Sequence, residues 1–92
     1  MNEITIVEAR MTHSKEDGYI GNVVFQFDQH PKPYEITLHS KSRKDWSYSL
    51  SFAKESGSEE LIEQVEDALE EDDELFDALV EAASRQLAAN PS

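Results

Sequence analysis

"WSYSLSF", residues 46–52, decides how the front of this chain folds. Large apolar side chains (Trp46, Tyr48, Leu50, Phe52) alternate with three serines (Ser47, Ser49, Ser51). Period two marks a strand with one face buried and one face open. The bulky side needs cover from another element. The hydroxyl side faces water or a partner.

The same period runs upstream. "YEITLH" (34–39) puts Tyr34, Ile36 and Leu38 on one side and Glu35, Thr37 and His39 on the other. "YIGNVVFQF" (19–27) puts Tyr19, Val23, Phe25 and Phe27 on one face and Ile20 and Val24 on the other. "EITIVEARM" (3–11) changes parity, from Ile4 and Ile6 to Val7, Ala9 and Met11. That switch calls for a bulge near Val7, or for a central strand with both faces partly covered.

Polar segments separate the strands. "THSKEDG" (12–18) ends in Asp17-Gly18, a turn pair. "DQHPKP" (28–33) has two prolines, which cannot donate to a ladder. "SKSRKD" (40–45) is polar and basic. With connections this short, the simplest topology is a sequential antiparallel meander.

After "KESGS" (54–58) the period becomes helical. Ser58 suits an N-cap, with Glu59 and Glu60 in the first turn, where carboxylates favour the positive helix end. Leu61, Val65, Ala68 and Leu69 begin the apolar stripe; Leu75, Phe76, Leu79, Val80, Ala83 and Leu87 continue it, and Asn90-Pro91 stops it. One helix over 59–89 would run about 46 Å, against about 27 Å for an eight-residue strand. The stripe also fails at Asp72 and Asp73, either of which suits an N-cap. A break within "EEDDE" (70–74) therefore gives two helices, whereas one long helix would need a partner for its overhang.

The fold expected is α+β: a single domain over 1–92, with strands within 3–54 and an acidic helical segment over 58–89. It is a four-stranded antiparallel meander followed by two C-terminal helices packed on one face. Trp46, Tyr48, Leu50 and Phe52 are expected to meet the helical stripe.

Charge divides the chain in two. Residues 1–58 carry eight acids and seven bases, a net of −1; residues 59–92 carry twelve acids and Arg85, a net of −11. Together they give the −12 of the whole chain of 92 residues. Such a balance argues against nucleic acid and anionic membrane surfaces as partners. The chain reads as a complete small protein from Met1. No apolar leader is expected, since Glu3, Glu8 and Arg10 fall near the start, and no run approaches the roughly 20 apolar residues of a bilayer span. There is no cysteine, so no disulfide framework or thiolate chemistry, and a cytoplasmic setting is expected.

No motif points to catalysis, to a metal or to a cofactor. "EEDDE" lacks the spaced ligands and turn glycine of a calcium loop. His13, His30 and His39 share no i, i+4 helical pair. "ESGSE" (55–59) does not follow G-x-S-x-G and is accounted for by turn and cap chemistry.

The expected trade is therefore binding another protein, a basic one in particular. The first candidate surface is the acidic helices, with Glu63, Glu66, Asp67, Glu70, Glu71, Asp73, Glu74 and Asp77. Twelve carboxylates over 59–81 amount to one per about 2.9 Å of helix, close to the roughly 3.4 Å of a single DNA strand. A narrower role follows, an acidic mimic that blocks a nucleic-acid-binding protein. The second candidate is the serine face, Ser47, Ser49 and Ser51 with His39, which suits a partner or a homodimer. "KSRK" (Lys41, Arg43 and Lys44) is the basic cluster, fit for an acidic surface or as a guard on a hairpin tip. A small enzyme or ligand site formed by tertiary proximity is the third class.

Overall fold

The computed structural model describes residues 3–28, 30–42, 45–54 and 56–89, with side chains through Gln86. Arg43 and Lys44 and the side chain of Leu87 lie outside the described residues. Four strands precede two helices: β1 (Ile4–Ser14), β2 (Gly18–Phe27), β3 (Tyr34–Ser40), β4 (Ser47–Phe52), α1 (Glu59–Glu71) and α2 (Asp73–Ala89). The sheet order is β1-β2-β3-β4 and every neighbouring pair is antiparallel. This is the expected α+β meander with two C-terminal helices.

The parity switch in β1 is a bulge. Ile6 pairs with Phe25 and Glu8 with Val24, so Val7 is the extra residue. β1 is an edge strand, which removes the alternative of a central strand. Beyond the bulge, Ala9 and Met11 turn to the helix side, while Glu8 and Arg10 pair with Val24 and Asn22 of the open face. Val7 is 59% exposed and Ile6 39%, the two large apolar side chains left most open among the described residues.

β1 runs three residues further than its polarity suggests. Thr12, His13 and Ser14 pair with Ile20, Tyr19 and Gly18, which shortens the turn to residues 15–17. Backbone pairing in a hairpin does not require apolar side chains, and the His13 ring lies 4.3 Å from that of Tyr19. Gly18 has φ +79°, and a Cβ there would come within 2.6 Å of the Ser40 carbonyl oxygen. Both the turn and the neighbouring strand demand glycine.

The deepest burial is in the two central strands. Val23, Phe25 and Phe27 of β2 and Tyr34, Ile36 and Leu38 of β3 are buried. They meet Val65, Ala68 and Leu69 of α1 and Leu75, Leu79 and Ala83 of α2. Trp46, Tyr48, Leu50 and Phe52 do join this core, but at half burial, because β4 is the other edge of the sheet. The Tyr48 ring lies 5.5 Å from Phe76 of α2. At about 1.5–3 kcal/mol per fully buried large side chain, β2 and β3 contribute more than β4.

The helical segment breaks at Asp72. Its N–H donates to the Ala68 carbonyl at 2.8 Å and closes α1. Its carboxylate accepts from the backbone N–H groups of Glu74 (3.1 Å) and Leu75 (3.3 Å) and opens α2. At the other end of α1, Ser58 Oγ accepts from the Leu61 N–H at 3.4 Å. α1 lies against β4, while α2 packs on β1 and β2. Gly21 admits α2 closely: a Cβ there would lie 3.1 Å from that of Ala83. Among the described residues no helix is long and apolar enough to cross a membrane.

Candidate functional site

The helices bury one stripe against the sheet, so their remaining surface is set by what lies between the apolar positions. That surface is acidic. Glu63, Glu66, Asp67, Glu70 and Glu71 of α1 and Asp73, Glu74 and Asp77 of α2 are all exposed. Glu59, Glu60 and Glu81 are exposed as well, and Asp72 is half-buried by its capping role. Arg85 is committed to Glu81 at 2.7 Å. The fold thus gathers the carboxylates expected on a partner surface onto the exposed surface of the two helices.

The charge of this layer reaches the sheet. Burial raises the Tyr48 phenol above its ordinary pKa, and the carboxylates of Glu70 and Glu66 raise it further. Both therefore lie on the side of α1 that overlooks β4. Glu59, Glu63 and Glu66 line a groove of about 520 Å³ between β4 and α1. Its other lining residues are Leu50, Ser51, Phe52, Lys54, Ser56 and Ile62. Leu50 and Phe52 point towards the helices and Ser51 away from them, so the groove follows the edge of the strand. Glu59, Glu63, Glu66 and Glu70 form one stripe at i, i+4, i+7 and i+11 along α1.

The open face of the sheet is arranged in rows. Thr12, Ile20, His39 and Ser47 form one; Arg10, Asn22, Thr37 and Ser49 the next; Glu8, Val24, Glu35 and Ser51 the third. The three serines and His39 are exposed on the same face, as expected. His39 Nε2 donates to the Asp17 carbonyl at 2.7 Å, and Asn22 Nδ2 donates to Thr37 Oγ1 at 3.1 Å. The face carries more charge than its β4 row suggests, because the bulge turns Glu8 and Arg10 onto it, 3.9 Å apart. Lys41 is exposed just after β3.

Among the described residues no group of three or more His, Asp or Glu side chains is placed to hold a metal ion. His30 is held in the wall of the core instead. Its ring meets Phe27 edge-on at 5.1 Å, and its Nδ1 and the Tyr34 hydroxyl share a hydrogen bond of 2.8 Å. Burial raises the pKa of that tyrosine.

Sequence reasoning missed the β4–α1 groove. Its parts were visible separately, as an uncharged strand over 47–52 and as acids at helical spacing from Glu59. Only tertiary packing sets one beside the other. The chain matches no family model, and no curated protein or solved structure matches it either.

Proposed function

We propose that this chain is a small cytoplasmic binding module without catalytic activity, which engages a basic surface of another protein through the outer face of its two helices. One observation carries this reading. The carboxylates of residues 59–81 other than Asp72 are exposed on a single layer, and the one base that follows them is already paired with Glu81. Such a layer attracts a positively charged surface and steers its approach. The serine face supports the reading less well as a contact site. Its Glu8–Arg10 pair and Glu35 are the charges of an ordinary solvated sheet back.

The narrower reading is an acidic inhibitor that occupies a nucleic-acid-binding groove. The density of the carboxylates favours it. The break at Asp72 divides them between α1, about 20 Å long, and α2, about 26 Å long. A groove that accepts them must follow two helical segments interrupted at Asp72 rather than one continuous strand of phosphates.

The test is retrieval of partners from the native source, washed at about 0.1 M and then about 0.5 M salt, a range over which surface charge becomes strongly screened. A variant carrying Glu71→Gln, Asp73→Asn, Glu74→Gln and Asp77→Asn is run beside it. A basic protein held by the parent chain, lost at high salt and lost by the variant, is the expected result. If nucleic acid displaces the chain from that protein, the mimic reading holds. Equal capture by parent and variant removes the part of the helical surface around residues 71–77 from consideration.

A further inference from the structure

The two edges of the sheet are not alike. β1 is blunted by the Val7 bulge and by Glu8 and Arg10, which are devices that discourage pairing with another strand. Within Ser47–Phe52, β4 has none of them. Ser47–Phe52 contains no charged residue and no proline, pairs with β3 without a register shift, and among the described residues has no strand on its outer side. An edge of this kind presents unpaired backbone N–H and C=O groups to any strand that approaches. The β4–α1 groove runs along that edge, with Leu50, Phe52 and Ile62 as its half-buried floor and α1 carboxylates as its wall, three of them (Glu59, Glu63, Glu66) against the one base in its lining, Lys54.

The geometry points to β4 as a docking edge that takes an extended, basic segment of a partner protein as a fifth strand. Charge complementarity selects this occupant. Alternate residues of an extended segment lie about 6.8 Å apart. Carboxylates three or four residues apart on α1 lie about 4.5–6 Å apart. Lysine or arginine at alternate positions thus meets the stripe of Glu59, Glu63, Glu66 and Glu70, while the backbone pairs with β4. A second copy of this chain fits less well. Its own stripe would be brought to the same seam, between chains of net charge −12 each. The inference rests on the reading that the chain binds a basic partner, and it assigns that partner a site and a conformation.

The experiment uses the full chain and two short blocked peptides that alternate lysine and threonine. One has ordinary backbone amides. The other is N-methylated on the amides that would face β4, with the same charge. Amide-resolved NMR and hydrogen exchange follow Ser47–Phe52 in the parent and in Ser51→Lys. Ser51 is exposed and stands opposite Glu35, so the fold accommodates the lysine. The expected result is protection of β4 amides by the first peptide, with binding about tenfold weaker or worse for the methylated one and for Ser51→Lys. Equal binding of both peptides, with shifts spread over residues 67–77, overturns the docking edge and leaves the acidic surface standing. Binding of neither peptide at low salt overturns both. Self-association through β4 without peptide, growing with salt, shows that a second copy takes the edge and overturns the basic occupant.

Discussion

The Asp72 carboxylate accepts a hydrogen bond from the Leu75 backbone N–H at 3.3 Å. The same residue closes α1 through its own N–H to Ala68 at 2.8 Å. One residue therefore ends a helix with its backbone and starts the next with its side chain, and the acidic surface is interrupted where it sits. Replacing it with alanine takes the carboxylate partner from the Glu74 amide and leaves the Leu75 amide with the backbone carbonyl of residue 72 alone, at 3.1 Å. Asp72→Ala is expected to lower stability by about 1 kcal/mol, and Asp72→Asn to recover most of it, since asparagine caps as well as aspartate. Urea unfolding of the three chains measures this, and equal midpoints would show that the cap is idle.

The core ranks the strands. Ile36 is fully buried in β3, while Leu50, its cross-strand partner, is half-buried at the edge. Ile36→Ala is expected to cost about 2–5 kcal/mol through lost burial and a cavity. Leu50→Ala is expected to cost less, because water already reaches part of the side chain. A larger loss at Leu50 would mean that the helices press on β4 harder than on the centre of the sheet.

Tyr48 and Tyr34 link stability to alkaline pH. Both phenols have pKa values raised in the folded protein, Tyr34 by burial and Tyr48 by burial with Glu70 and Glu66. A raised pKa means that the folded state holds the proton more tightly than the unfolded chain does. This contribution to stability is fully present below the unfolded tyrosine value of about 10 and is lost as pH rises through the folded values. Glu66→Gln with Glu70→Gln should bring the Tyr48 titration down towards its ordinary value and leave that of Tyr34 in place. Ultraviolet absorbance titration with single tyrosine-to-phenylalanine chains separates the two. An unmoved Tyr48 would show that α1 does not overlook β4.

The acidic layer opposes its own folding. Like charges three or four residues apart destabilise a helix, and salt relieves them. The melting temperature is expected to rise from about 0.02 M to about 0.5 M salt, where the screening length falls from tens of ångströms to a few. A flat response would mean that the carboxylates are already compensated.

Much of this architecture could be read from periodicity. The alternation in "YIGNVVFQF", "YEITLH" and "WSYSLSF" locates three strands, and the failed stripe at Asp72 locates the helix break. Periodicity was blind where backbone pairing alone matters. Thr12, His13 and Ser14 look like a turn because their side chains are polar, yet they complete the β1 ladder. It was also blind to which strands are central. Trp46, Tyr48, Leu50 and Phe52 suggest a dominant strand, but edge position leaves them half open. The candidate surfaces divide in the same way. Exposure of the acids follows from helical spacing, whereas the groove between Glu63 and Leu50 depends on where α1 comes to rest.

The most direct measurement maps a salt-released partner onto the chain by amide-resolved NMR. Perturbed signals over residues 59–81, with Thr37, His39 and the open-face residues Ile20 and Val24 unmoved, are what the account predicts. Perturbation centred on Ile20, Val24, Asn22 and the β4 serines, with the helices silent, would contradict it and give the working surface to the back of the sheet.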